Sequence, residues 1–358
     1  MPVNSLLLSP ELFETEGGIA RILRLYLKAL CEISGKGDHV RLLSLNDSVI
    51  DSSELNAYSD ARLVEWEVSS GSKLEFCGAA LRMSRRSNRI ICGHIGQLPV
   101  AWAAAKLKPG LKYYLVAHGI EVWRPFSILE RAAARGAARI FCVSEFTRQQ
   151  VLKFGRLPPG QASVLPNALD PSLSPPTSVP AGEGPPIILS VSRLSLADNY
   201  KGIGHLVSAM PAVLARIPGA RLRIVGRGDG LPGLQALAQR LKLEGSVEFV
   251  GFRSDHELLE DFARCRLFAL PSQKEGFGLV YLEAMAHGRP CLGARSGGVP
   301  EVITAETGVL VEYGDVPGIA ASIIAALERQ WTLEPFLERT RFFSYSSFRN
   351  RLAAQLSD

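Results

Sequence analysis

Residues 271–301 read P-S-Q-K-E-G-F-G-L-V-Y-L-E-A-M-A-H-G-R-P-C-L-G-A-R-S-G-G-V-P-E. Two glutamates, Glu275 and Glu283, stand eight positions apart and bracket Gly276, Phe277 and Gly278. The second lies one turn inside an apolar helix that begins near Leu279 and stops at Gly288 and Pro290. A glycine loop that opens a helix leaves backbone N–H groups available to an anion. One carboxylate before the helix and another on its second turn can grip hydroxyls. Anion and hydroxyls together describe a sugar nucleotide. For either glutamate alone, the alternative is a solvated residue on a capped amphipathic helix.

Working outward, short β-branched runs alternate with helical stretches, the pattern of parallel sheets covered by helices. Strands are expected at 5–8, 40–45, 62–68, 89–93, 113–117, 139–143 and 163–165, and then at 187–191, 221–225, 247–250, 267–270, 290–293 and 308–311. Between the two sets, residues 167–186 hold six prolines among Ser, Thr and Gly without periodicity, the composition of a linker. A chain of 358 residues suits two domains with separate cores. The fold class is therefore α/β, with two Rossmann-like halves joined by a hinge.

Candidate site residues cluster where strands end. Glu16, Gly17 and Gly18 follow the first strand and open a helix carrying Leu23, Leu27 and Leu30 on one side; glycines there admit a phosphate or sugar close to the backbone. His118-Gly119-Ile120-Glu121 ends the strand 113–117, where topology faces a ligand crevice. Ser144 reads as a helix N-cap. Arg193 and Lys201 follow the strand 187–191, and a guanidinium with an ammonium suits a diphosphate on which charge develops. Val225-Gly226-Arg227-Gly228-Asp229-Gly230 invites a dinucleotide-binding reading, but it lacks the full G-x-G-x-x-G register and the acidic residue about 20 positions on. Phe249 to Arg253 ends the next strand and offers backbone on which a base can rest.

The E-x7-E element, the following G-G-V-P-E at Gly297–Glu301, H-G-x-E at His118, P-N-A at 166–168 and the Arg193 and Lys201-Gly202 pair resemble the retaining glycosyltransferases of the GT-B fold, family 4 (glycosyl transferases group 1). The resemblance spans almost the whole chain and is strongest over 187–311. It implies two Rossmann-like domains facing across a cleft: an acceptor-binding domain over 1–168, a hinge over 169–186, and a nucleotide-sugar domain over 187–337. A final helical element, 338–358, is then expected to cross back to the first domain. By resemblance, His118, Glu275, Arg193 and Lys201 are the catalytic set. Gly17, Gly18, Gly226, Arg253, Gly276, Phe277, Gly278, Leu279 and Glu283 contact donor or nucleotide. The stretch from Arg193 to Lys201 is longer than the family's usual spacing, with 195–199 as the insertion. The implied reaction moves a hexose from a UDP- or GDP-sugar to an acceptor hydroxyl, with retention and an α-linkage. The acceptor is a glycan, a lipid-linked saccharide or a small molecule, in glycolipid, polysaccharide or other envelope glycan synthesis. No D-x-D occurs, so protein cations are expected to replace a metal, and no cofactor is expected beyond the donor.

Composition bounds these readings. Apolar residues make up 47% of the chain, as in a globular protein, yet no run reaches the ~18–20 residues of a membrane span. The segment 1–10 lacks the basic flank and cleavage site of a signal peptide. Cys31, Cys77, Cys92, Cys142, Cys265 and Cys291 sit in apolar contexts without C-x-x-C, which predicts reduced core thiols and a cytoplasmic protein. The net charge of +5 lies wholly in residues 1–170. Within them, 62–112 carries Arg82, Arg85, Arg86, Arg89, Lys106, Lys108 and Lys112 near Trp102, Tyr113 and Tyr114. Such a patch suits nucleic acid or the inner face of an anionic membrane, bound peripherally, or is an ordinary solvated face. Nucleic acid is not an expected partner. The rival functions are a GT-B epimerase, a non-catalytic sugar-nucleotide binder, a phosphorylase and a nucleic-acid-binding protein. An epimerase has no need of E-x7-E, and a phosphorylase needs a pyridoxal lysine in a longer chain.

Overall fold

The computed structural model describes residues 2–14, 17–174, 176, 177, 179 and 184–357. Glu16 of the glycine loop and residues 175, 178 and 180–183 of the expected linker lie outside them. The chain divides into two compact units, 1–170 with 345–358, and 171–344.

The first unit is built on seven parallel strands: β1 (Asn4–Ser9), β2 (His39–Ser44), β3 (Leu63–Val68), β4 (Arg89–Cys92), β5 (Lys112–Ala117), β6 (Arg139–Cys142) and β7 (Ala162–Val164). Their order is β3-β2-β1-β4-β5-β6-β7. Helices α1 (Gly18–Ile33), α2 (Ser52–Asn56), α3 (Lys73–Ser84), α4 (Leu98–Leu107), α5 (Ile128–Gly136) and α6 (Glu145–Gly155) connect them. Consecutive residues such as Leu6, Leu7 and Leu8 are all buried, because a parallel sheet covered on both faces has no solvent side. Leu23, Leu27 and Leu30 of α1 are buried as their spacing predicts. The chain runs outward from β1 in one direction and returns to start β4 on its other side, so the strand order reverses between β1 and β4. Ligands of such sheets bind outside the carboxyl ends of the strands at that reversal.

The second unit repeats the plan with six parallel strands: β8 (Ile187–Val191), β9 (Arg221–Val225), β10 (Val247–Gly251), β11 (Leu267–Leu270), β12 (Cys291–Ala294) and β13 (Gly308–Val311), in the order β10-β9-β8-β11-β12-β13. Here the reversal falls between β8 and β11. Helices α7 (Ile203–Arg216), α8 (Leu231–Arg240), α9 (Asp255–Arg264), α10 (Leu279–Ala286), α11 (Val299–Val302), α12 (Val316–Glu328) and α13 (Glu334–Phe342) belong to this unit. Strand β12 starts one residue later than expected. Pro290 has no N–H to give the ladder, although its carbonyl accepts from the Phe268 N–H at 2.9 Å.

The element that returns to the first unit is α14 (Tyr345–Ser357). It starts seven residues after the expected 338 because α13 is anchored in the second unit. There the Arg339 guanidinium donates to the Val302 carbonyl at 2.9 and 3.1 Å, and Phe343 packs edge-on against Phe277 at 5.3 Å. In the first unit α14 sets Phe348 against Tyr26 at 5.0 Å, pairs Arg349 with Glu32, and donates from Gln355 to the Val164 carbonyl. The first unit also keeps Asp170, whose carboxylate accepts from the Tyr58 hydroxyl at 3.2 Å. The expected boundary at 168 thereby moves by two residues.

Among the described residues no helix is long and apolar enough to cross a membrane. Five of the six cysteines are buried as expected; Cys77, on α3, is exposed instead. The basic segment is only partly a surface patch. Tyr113 and Tyr114 are core residues on β5, Arg82 is paired with Glu67, Arg89 donates to the Leu356 carbonyl, and Lys108 donates to the Arg85 and Ser87 carbonyls. Arg85, Arg86, Lys106 and Lys112 remain exposed, with Leu107, next to Lys106 in sequence, at 75%.

Candidate functional site

In the second unit the reversal between β8 and β11 brings two distant loops together. The β8 loop turns through Arg193 and a short 3-10 helix, Leu196–Lys201. The β11 loop carries Glu275. The Lys201 ammonium and the Glu275 carboxylate meet at 2.7 Å, each side chain 17% exposed. The Gln273 N–H donates to the Tyr200 carbonyl at 2.8 Å and fastens one loop to the other. Arg193 is mostly exposed and its guanidinium donates to Asp198 at 3.1 Å. Asp198 is buried and also accepts from the Tyr200 hydroxyl at 2.7 Å. Burial, and then the Asp198 hydrogen bond, push the Tyr200 phenol up to about 12, so it stays a donor. Asp198 lies inside the expected insertion; nothing in its sequence context marked it.

Glu275 is held from behind by the G-G-V-P-E segment. The Gly298 N–H donates to the Glu275 carbonyl at 2.9 Å, and a Cβ on Gly297, whose φ is +59°, would lie 2.2 Å from that oxygen. The glycine pair exists because one backbone crosses another. Gly276, Phe277 and Gly278 follow, all buried, and Gly278 stands at the N-terminus of α10, where no side chain caps the first turn. Leu279 opens the helix, and Glu283, one turn on, is 7% exposed. Burial of Tyr281 through Ala286 shows that α10 is not a solvated amphipathic helix. The helix stops as predicted: the Gly288 and Arg289 N–H groups return to the Met285 and Ala284 carbonyls at 2.9 Å each. Arg289 is buried too, spending its guanidinium on the Phe262 and Ala263 carbonyls at the end of α9.

The G-x-G-x-G run has a packing role. A Cβ on Gly226 would fall 1.9 Å from the Ser192 carbonyl, and one on Gly228 2.5 Å from that of Leu194. The two loops exchange backbone bonds, Leu194 N–H to Arg227 O at 3.0 Å and Gly230 N–H to Leu194 O at 2.8 Å. The glycines thus seat the loop that carries Arg193. Arg253 is occupied elsewhere: its guanidinium faces Glu257 at 2.7 Å and Asp261 at 3.5 Å. The neighbouring exposed ring of Phe252 lies under Arg227, 4.8 Å from its guanidinium carbon.

The first unit offers a separate cluster at its own reversal. Gly17 and Gly18 are exposed at the start of α1, again without a side-chain cap. His118 follows β5 and is largely buried. Its Nε2 faces the Gly93 carbonyl at 2.9 Å, so that nitrogen carries the proton and Nδ1 is the acceptor of the neutral ring. Burial holds this imidazole below its ordinary value, opposed by Glu121. Glu121 closes the turn by accepting from the His118 and Gly119 N–H groups at 2.6 and 3.1 Å. Gly93 in turn sits under Leu23 of α1, where a Cβ would lie 2.6 Å from that side chain. Ser144 is an N-cap as read, accepting from Thr147 N–H at 3.1 Å. Among the described residues no group of three or more His, Cys, Asp and Glu side chains could hold a metal ion.

Two Rossmann-like units, one with two cationic side chains, an uncapped helix N-terminus and a buried carboxylate at its topological reversal, define a two-domain α/β class of protein with groups suited to an anion and hydroxyls at that reversal. Comparison with known proteins agrees. The profile described as Glycosyltransferase Family 4 matches residues 17–173, and that described as Glycosyl transferases group 1 matches 176–342. The chain belongs to glycosyltransferase family 4 and has the GT-B fold class. It is 36% identical over 169 residues to N-acetyl-alpha-D-glucosaminyl L-malate synthase of Bacillus anthracis, covering 47% of this chain and 43% of that one. It is 37% identical over 150 residues to the GDP-mannose-dependent monoacylated alpha-(1-6)-phosphatidylinositol monomannoside mannosyltransferase of Corynebacterium glutamicum, covering 40% and 38%. The matched segments therefore span about two-fifths of these relatives' own lengths. In three dimensions the chain superposes on Anabaena Alr3699/HepE, solved in complex with UDP, with a TM-score of 0.79 over all of both chains at 21% identity.

Proposed function

We propose that the protein is a retaining glycosyltransferase that moves a hexose from a UDP- or GDP-sugar to an acceptor hydroxyl, forming an α-linkage in glycolipid or other envelope glycan synthesis. The observation that carries this reading is the convergence, at the β8/β11 reversal, of Lys201 on Glu275 at 2.7 Å, with Arg193 on the same loop and the uncapped start of α10 beyond Glu275. Lys201 and Arg193 take the diphosphate, Glu283 the ribose hydroxyls and Glu275 the transferred sugar. The bond from the anomeric carbon to phosphate oxygen breaks, a bond to the acceptor oxygen forms on the same face, and the acceptor proton passes to the departing phosphate. Catalysis is then orientation plus cationic stabilisation of the leaving group, with no metal or other cofactor. By the family resemblance His118, neutral and donating to Gly93, contacts the donor sugar. The names of the relatives support a lipid-linked or small anionic acceptor, and the exposed Arg85, Arg86, Lys106 and Leu107 support peripheral contact with anionic lipid on the cytoplasmic side.

The test is a screen of nucleotide sugars for release of nucleoside diphosphate, run with and without EDTA. Release from one UDP- or GDP-sugar that survives chelation is the expected result. Release lost to EDTA and restored by magnesium or manganese overturns the phosphate assignment, and release from no donor overturns the activity. Co-sedimentation with anionic but not neutral vesicles at low salt is expected for membrane contact, and equal recovery in both supernatants refutes it.

A further inference from the structure

The proposed function leaves Asp47 unused, and its surroundings are unusual. It lies three residues past the end of β2 and is fully buried. One carboxylate oxygen accepts from the Leu12 N–H at 2.7 Å and from the Ser44 hydroxyl; the other accepts from the Phe13 and Glu14 N–H groups at 2.9 and 2.7 Å. Four donors converge on one side chain, three of them backbone amides of the loop leaving β1. The same two loops are laced together on either side: Leu45 and Asn46 N–H donate to the Ser9 and Pro10 carbonyls at 3.0 and 2.9 Å, and the Ser48 hydroxyl donates to Glu14 at 3.0 Å. Three residues after Glu14 the chain reaches Gly17 and enters α1.

We propose that Asp47 is a positioning residue for the glycine loop: its carboxylate fixes the backbone of 12–14, and thereby the place from which Gly17 and Gly18 meet the transferred sugar or the acceptor. A loop with three unpaired N–H groups aimed into the protein has no other acceptor for them, and only a carboxylate offers enough lone pairs at one point. Asparagine has the same shape but presents NH2 to either the Leu12 and Ser44 donors or the Phe13 and Glu14 donors, so at least one amide loses its partner. The consequence for turnover rests on the proposed function; the clamp itself does not.

The test uses the full-length Asp47→Asn protein and two readouts. Hydrogen exchange of the Leu12–Glu14 amides should accelerate about tenfold, the effect of losing one buried hydrogen bond. With the donor found in the screen, kcat should fall about tenfold to a hundredfold, the usual consequence of an ångström-scale misplacement. Nucleoside diphosphate affinity, which the second unit supplies, should stay within about twofold. Unaltered exchange overturns the clamp whatever reaction the protein performs. Faster exchange with unaltered kcat overturns the positioning role, as does a loss of nucleotide affinity equal to the loss of kcat. If the wild-type protein turns over no donor, the proposed function fails and exchange alone decides the clamp. Should Asp47→Asn not fold, the wild-type protein decides: the Leu12–Glu14 amides should exchange far more slowly than those of the exposed Gly17 and Gly18, and equal exchange overturns the proposal.

Discussion

Replacing Lys201 by Met keeps the length of the side chain and removes its charge, leaving the Glu275 carboxylate without its 2.7 Å partner. At an effective dielectric near 20, unit charges 4 Å apart attract by about 4 kcal/mol, most of which is offset by taking both groups out of water. Exposed pairs couple by about 0.2–1 kcal/mol, and breaking a fully buried pair costs about 3–5 kcal/mol. With 17% of each side chain exposed, this pair falls between, and a coupling of about 1–3 kcal/mol is expected. For a unit of this size each 1 kcal/mol moves Tm by about 2–4 °C, so Lys201→Met should melt the second unit about 2–12 °C lower. Calorimetry on wild type, Lys201→Met, Glu275→Gln and the double variant isolates the coupling. Titration with nucleoside diphosphate on the same four proteins tests the function. Lys201→Met should bind at least about tenfold more weakly, the usual loss of a charged hydrogen bond. Glu275→Gln releases the ammonium to the phosphate and should bind at least as tightly as wild type while losing kcat. A coupling under about 0.5 kcal/mol, within the spread of independent sites, or equal losses of affinity in both single variants, would refute the reasoning.

Glu283→Ala should weaken nucleoside diphosphate by about 1–3 kcal/mol in the same titration, because the ribose hydroxyls lose a buried acceptor; unchanged affinity would leave α10 with packing alone. Gly226→Ala must force a Cβ to within 1.9 Å of the Ser192 carbonyl and should cost about 3 kcal/mol or more by urea unfolding. Gly233→Ala, inside α8 with no atom within 4 Å of the new methyl, should instead gain about 0.5–1 kcal/mol. Burial depresses both His118 and His94 below the ordinary value of about 6.5, so below that pH the unfolded chain binds more protons than the folded one. Stability of the first unit should therefore rise with pH up to about 6.5 and level off above it, and His118→Gln should flatten the acid side of urea midpoints measured from pH 5.5 to 7.5; an identical slope in the variant would count against a buried neutral imidazole.

What the sequence by itself determined is local. Among the described residues thirteen strands were legible because a parallel strand buried on both faces is a continuous apolar run, and their bounds differ from those expected by at most one residue at either end. The end of α10 and the Ser144 cap were legible because donor and acceptor lie within five residues of each other. The tertiary structure decided which strand ends share a reversal, and so that Lys201 meets Glu275 across 74 residues of chain and Asp47 reaches Leu12 across 35. It also assigned G-x-G-x-G to a close crossing of backbones, turned Arg253 toward Glu257 and Asp261, and buried the tyrosines of an apparent surface patch. Residue type and spacing report what a side chain can bond to. Which partner it finds depends on strand order, a property of the whole sheet that no local pattern encodes.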